Sequence, residues 1–314
     1  MNGIRRGFTG IVCALVAPLL SATATGADLD AVLERGVLRH LGVPYANFVT
    51  GAGDGLDVEL IRRFAEHLGV RYEYVRSSWP EVFGDLIGRR VRPRGTDVEL
   101  LEPVPVRGDL IANGATMLPW REKIVAFSEP TFPSGVWVVA RADAPLSPVA
   151  EGSSVQEDIR ATRRLLGGTS VLAMKGTCLD PGLYRLHETG ARVRLYTRSS
   201  NLNELVPAIL AGEAQATLLD VPDALIALEK WPGQIKVLGP VTPLQYMGVA
   251  FPKDAPKLRQ AFNTFLRRLK ADGTYQAMVR RYYPTVFLYF SDFFATQQAR
   301  PEDVASDGQA AQRG

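Results

Sequence analysis

Cysteine is nearly absent, with Cys13 and Cys178 the two in 314 residues. That excludes a small scaffold stapled by disulfides and a multi-cysteine zinc site. The three histidines, His40, His67 and His187, are scattered, so no histidine metal cluster is expected and no cofactor is called for. An excess of one charge is missing as well: 36 basic residues against 33 acidic ones leave a formal +3. Such a balance gives no electrostatic footprint for a nucleic acid. There is no Ser-His-Asp order, no G-x-S-x-G elbow and no H-E-x-x-H zinc motif. Lys175-Gly176-Thr177 lacks the upstream glycine of a phosphate loop, and no repeat of solenoid period is present.

What remains is ordinary globular composition, 46% hydrophobic and 22% charged, at a length that suggests about two domains. Residues 1–27 contain no acid. They carry Arg5 and Arg6, an apolar run over 11–20, then small residues over 21–27. This is the order of a secretory signal peptide, with cleavage expected after Ala24 or Ala27. An N-terminal membrane anchor is the alternative, although the run is about half of what a spanning helix needs. Val12 before Cys13 argues against lipidation. After cleavage Cys178 is the remaining thiol, so stability is expected to come from packing.

Strand-like and helix-like segments then alternate, the pattern of an α/β protein. Strands are expected over 37–43, 72–75, 109–112, 124–127, 136–140, 170–174, 193–196, 216–219, 235–238 and 247–251. Asp57 is expected to cap a helix whose Val58, Ile61, Ala65 and Leu68 share one face and which Gly69 stops. Asp180-Pro181 predicts another helix start. Further helices are expected over 80–87, 201–210, 222–230, 258–269 and 275–283. Residues 88–107 read as an inserted hairpin or loop, and the Pro- and Ala-rich stretch 142–150 as a crossing between lobes. The polar tail, 296–314, is expected to be disordered.

Four short motifs in order resemble the family 3 extracellular solute-binding proteins, the periplasmic receptors of polar amino-acid uptake, over about residues 31–284. They are Leu33-Glu34-Arg35-Gly36-Val37-Leu38-Arg39; Gly55-Leu56-Asp57-Val58-Glu59-Leu60; Thr116-Met117-Leu118-Pro119-Trp120-Arg121-Glu122 with Val125-Ala126-Phe127-Ser128-Glu129-Pro130; and Leu269-Lys270-Ala271-Asp272-Gly273-Thr274-Tyr275. The resemblance implies the type II periplasmic-binding-protein fold, two α/β lobes with mixed sheets flanked by helices and joined by a two-strand hinge. It implies a first lobe over 28–140 plus 243–295 and a second over 144–240, with crossings near 138–141 and 240–244. It further implies a small-molecule ligand, an amino acid or small carboxylate. The partner would be an inner-membrane ABC permease or a membrane sensor, and the protein a monomer.

The resemblance places Arg121 on the ligand carboxylate, where a planar bidentate donor is wanted; a solvated surface arginine is the alternative. Thr116 and Gly114 would line that pocket by hydroxyl and main chain. Asp220 would take the ammonium from the opposite lobe, unless it merely caps the following helix. Thr177 and Cys178 would form the second lobe's carboxylate-contacting turn. Tyr45 and Phe48 would provide an aromatic floor, unless they are core. Trp79 and Trp120 would be core or would narrow the cleft. The family's acid before the aromatic floor is Gly42 here, which weighs against a basic ligand. The same fold also carries a few periplasmic dehydratases of prephenate-like acids, the alternative reading.

Overall fold

The computed structural model describes residues 28–295, so the signal-peptide and tail expectations lie outside the described residues. In chain order the strands are β1 (Val37–Gly42), β2 (Arg71–Arg76), β3 (Arg89–Arg94), β4 (Asp97–Pro103), β5 (Leu110–Ile111), β6 (Val125–Phe127), β7 (Phe132–Ser134), β8 (Val136–Arg141), β9 (Ser170–Ala173), β10 (Arg192–Leu195), β11 (Ala216–Asp220), β12 (Ile235–Pro240), β13 (Gln245–Met247) and β14 (Ala250–Pro252). The helices are α1 (Leu29–Arg35), α2 (Leu56–Leu68), α3 (Val82–Ile87), α4 (Pro119–Glu122), α5 (Val155–Leu165), α6 (Leu205–Leu210), α7 (Val221–Lys230), α8 (Pro256–Ala271), α9 (Thr274–Tyr282), α10 (Val286–Tyr289) and α11 (Ser291–Ala295).

Two five-stranded mixed sheets form, one per lobe, in the orders β2-β1-β5-β14-β6 and β10-β9-β11-β8-β12. In each, parallel strands are joined by an antiparallel element that returns from the hinge: β14 in the first sheet and β8 in the second. A separate antiparallel pair, β7 with β13, aligns Ser134 with Gln245 and Phe132 with Met247. This pair carries the chain between lobes.

The hinge corrects two sequence expectations. Residues 136–140 were expected in the first lobe, yet β8 pairs with β11 from Val136 to Ala140 and with β12 on its other edge. The first crossing therefore falls at Ser134–Gly135, before 138–141. The stretch 142–150 is not a crossing either: Ala142 N–H donates to Gln234 O and Val149 N–H to Leu238 O, inside the second lobe.

Helix α2 buries Leu56, Leu60, Ile61 and Phe64 along one face. The Phe64 ring lies 5.3 Å from those of Phe262 and Phe265 on α8. Each such side chain contributes about 1.5–3 kcal/mol by leaving water. Its cap differs from expectation. Gly55, at φ 130°, is the N-cap, while the Asp57 carboxylate turns inward and accepts from Gly114 N–H at 2.7 Å. No helix starts at Asp180: its carboxylate accepts from Gly176 N–H at 2.9 Å and Gly182 N–H at 2.8 Å, closing a turn. Gly182 directly after Pro181 disfavours continuing helically. Residues 89–103 form the β3–β4 hairpin, Arg90 paired with Glu102 and Arg92 and Arg94 with Glu99. Helix α5 escaped the sequence reading, because it buries little beyond Ile159 and Thr162.

The last segment straps the hinge. Phe294 meets Phe132 on β7 at 6.2 Å, Phe293 stacks on Tyr246 of β13 at 5.9 Å, and Tyr289 meets Trp137 of β8 at 5.6 Å.

Candidate ligand site

Helix α4 is one turn opened by Pro119, and it turns Trp120 and Arg121 inward. Arg121 is fully buried. Its Nη1 donates to Thr116 O at 2.8 Å, while Nε and Nη2 have no partner among the described residues. Its guanidinium carbon sits 5.0, 5.2 and 5.4 Å from the ring centres of Phe83, Trp120 and Trp79. Three aromatic faces offset part of the desolvation of this cation, each worth about 2 kcal/mol when water is excluded. Burial still lowers its proton affinity, against the nearby charge of Asp220.

Asp220 ends β11 and is also fully buried. It occupies the backbone N-cap position of α7, but its side chain makes no capping bond. Instead Oδ2 accepts from Tyr45 Oη and from Cys178 Sγ, both at 2.8 Å. Oδ1 has no partner among the described residues. Burial raises the Asp220 pKa, opposed by those two donors and by Arg121. Tyr45 belongs to the first lobe and Asp220 to the second, so this bond joins the lobes, as does Ala46 N–H donating to Asn203 Oδ1 at 3.1 Å.

A leftover buried donor or acceptor costs about 1–3 kcal/mol, so native chains keep few. Among the described residues these are Arg121, Asp220, Thr116 Oγ1, both amide atoms of Asn113, Trp79 Nε1 and Gln245 Oε1, together with both amide atoms of Gln276 on α9. Arg121, Asp220, Thr116, Cys178 and Tyr45 are thus brought together.

The other expected site residues are otherwise employed. Phe48 is core, its ring 5.2 Å from Phe132 and 4.9 Å from Tyr283, and it provides no floor. Gly114 gives its N–H to Asp57, and at φ 66° a Cβ there would strike the Phe48 ring at 2.4 Å. The Thr177 hydroxyl donates to Met174 O and accepts from Leu179 N–H, closing its own turn. Tyr45 stands edge-on to Trp79 at 5.8 Å and uses its hydroxyl on Asp220 rather than presenting a platform.

Several residues of this region escaped the sequence reading. Asn113 directly follows the short strand β5, and a polar residue at a strand's carboxyl end was a usable signal. Tyr184, whose hydroxyl donates to Cys178 O, and Gln245 on β13 carried none. Asp223 is buried one turn after Asp220, and its carboxyl is pushed up to about 8 by burial and by Asp220. Among the described residues no group of three His, Cys, Asp or Glu side chains is placed to hold a metal.

Two lobes, a paired-strand hinge and a buried polar site between them define a type II periplasmic-binding-protein fold. Residues 105–285 match the model of the bacterial extracellular solute-binding proteins, family 3, and the chain belongs to that family. Solved structures agree on the fold. A mutant of ArgBP from T. maritima is 24% identical, covering 82% of this chain and 99% of that one, with a TM-score of 0.64. An ancestral amino acid-binding protein, a precursor of cyclohexadienyl dehydratase, is 23% identical over 81% of this chain and 98% of that one, TM-score 0.62. The ligand-binding core of GluR0 from Nostoc punctiforme, in complex with L-glutamate, is 20% identical over 78% and 99%, TM-score 0.60.

Proposed function

We propose that this protein captures a free amino acid between its lobes, in the periplasm, and delivers it to an ABC importer. One observation carries the reading. The unpartnered atoms of Arg121 are Nε and Nη2, the side-on edge of the guanidinium, and the unpartnered atom of Asp220 is a single carboxylate oxygen. A guanidinium edge is matched bidentately by a carboxylate, and a lone carboxylate oxygen by an ammonium. A zwitterion supplies both at once, and each charge-assisted bond contributes about 1.5–3 kcal/mol. Thr116, Asn113 and Gln245 offer neutral polar atoms, which suits a neutral polar side chain. An acid is wanting at residue 42, where a Cβ would meet the Tyr74 ring at 2.4 Å, so a basic side chain finds no counter-ion there. The structural neighbours, one an amino acid-binding protein and one in complex with L-glutamate, support the ligand class.

A thermal-shift screen over the amino acids tests this, because a ligand that binds the folded state raises apparent stability by mass action. At least one amino acid is expected to raise the melting temperature, and its amide and N-acetyl derivatives to fail. A derivative lacking the carboxylate or the ammonium that works equally well refutes the pairing.

A further inference from the structure

Helices α10 and α11 follow the last residue of the family match and run across the hinge. We propose that residues 285–295 are a clamp that biases the lobes toward the closed arrangement before ligand arrives.

The clamp is rooted in the first lobe. Tyr283 and Val286 are fully buried, and the Tyr283 hydroxyl accepts from Asn47 N–H at 2.9 Å. The Phe287 ring centre lies 4.4 Å from that of Phe294 and 4.2 Å from the guanidinium carbon of Arg280 on α9. From this root, contacts fall on both sides of the pivot at Ser134–Gly135. Phe294 on Phe132 and Phe293 on Tyr246 hold the β7–β13 pair on the first-lobe side. Tyr289 on Trp137 reaches past the pivot to β8 of the second lobe. The Thr285 hydroxyl reaches α7 of that lobe, donating to Glu229 Oε1 at 3.3 Å. The reaching ring does not fill a core: Tyr289 is 55% exposed and its neighbour Leu288 82%.

Rotation of one lobe about the hinge displaces Trp137 and Glu229 relative to the clamp. In this structure the lobes touch across the cleft, through Tyr45 with Asp220 and Ala46 with Asn203. Contacts made in that arrangement and strained by opening shift the population toward it. Ligand affinity rises in step, because the binding-competent arrangement is more populated.

Small-angle scattering of the ligand-free protein tests the clamp. Tyr289→Ala alters an exposed ring, so the variant folds. Its free form is expected to have a larger radius of gyration than the wild type, and to contract to the wild-type value when saturated with the amino acid found by the screen. Its affinity for that amino acid, read by calorimetry, is expected to fall about two- to tenfold, the worth of one aromatic pair. Thr285→Val is expected to move both readings the same way, and Leu288→Ala to move neither. The affinity reading rests on the amino-acid proposal, whereas scattering of the free protein needs no ligand, so failure of the clamp is told from failure of that proposal. A segment that only stabilises the fold lowers the melting temperature and leaves the free dimensions as in the wild type. Unchanged dimensions of the free Tyr289→Ala protein overturn the clamp, and so does an affinity equal to that of the wild type.

Discussion

Arg121→Met separates the contribution of Arg121 to ligand binding from its contribution to folding. The guanidinium is fully buried and keeps one hydrogen bond, to Thr116 O, while its Nε and Nη2 go without a partner among the described residues. Burying an ion costs several kcal/mol even after relaxation. No ion pair within 4 Å joins it to Asp220 among the described residues, so at an effective dielectric near 20 their attraction stays below about 4 kcal/mol. The desolvation is opposed by that attraction and by the three aromatic contacts, and methionine keeps contact with Phe83, Trp120 and Trp79. The free protein should change in stability by less than about 2 kcal/mol. Binding has no such compensation: losing both side-on donors strands the ligand carboxylate and should cost about 2–5 kcal/mol, roughly 30- to 4,000-fold in affinity. Urea melts of the free protein measure the first quantity, and calorimetry with the amino acid found by the screen measures the second. Undiminished binding refutes the role of Arg121. A stability loss as large as the binding loss also refutes it, showing the arginine to be structural.

Tyr45→Phe removes the Tyr45–Asp220 bond between lobes, which exists only where the lobes meet. Ligand affinity should fall by about 1.5–3 kcal/mol, read by calorimetry, and an unchanged value would show that the bond does not favour closure. Asp57 has its carboxyl pushed up to about 7 by burial, opposed by the Gly114 N–H. The folded state thus holds its proton longer than the unfolded chain, so this contribution is complete below about pH 4 and is lost as pH rises to 7, about 1.4 kcal/mol per unit. Asp57→Asn keeps an acceptor for Gly114 and should gain about 4 kcal/mol over the wild type at pH 8 and nothing at pH 4; equal differences at both pH values in denaturant melts count against it. His40, lowered to about 4 by burial, has the opposite slope between pH 6.5 and 4 and cancels in that comparison because both proteins keep it. Asp220, raised by burial and holding one free oxygen, is one of three candidates for a dehydratase's acid, with Glu122 and Glu129. Incubation with prephenate or arogenate is expected to yield no aromatic product, and one that disappears with Asp220→Asn would establish the enzyme reading instead.

The order of segments was legible because it is a local property. Gly36 and Gly69 sit in the left-handed conformation and close α1 and α2, and the apolar spacing of α2 and α8 follows the helical period. The sheet to which β8 belongs was not legible. Its residues Val136 to Ala140 are apolar along their length, as a strand buried on both faces must be, and such a run carries no mark of which partner it meets. Helix α5 was missed for the converse reason, since Ser154 and Glu157 marked its start but its buried face is narrow.

The same limit governs the site. Thr116, in a β-bridge with Met247, and Thr177, in the turn after β9, are both threonines that the resemblance places at the ligand, and nothing in their neighbours in sequence separates them. Yet Thr177 spends its hydroxyl on Met174 O and Leu179 N–H, within two or three residues of itself, while Thr116 Oγ1 closes no local turn and faces the Cys178 thiol of the other lobe. Tyr45 and Phe48, three residues apart, diverge likewise. The ring of Phe48 is claimed by Phe132 and Tyr283, and the hydroxyl of Tyr45 by an aspartate 175 positions away. A side chain's availability to a ligand is what remains after local turns and long-range packing have taken their share. Local spacing predicts the turns but not which residues packing leaves unpartnered, so Arg121 could be singled out by its chemistry while the identity of its free edge had to come from the fold.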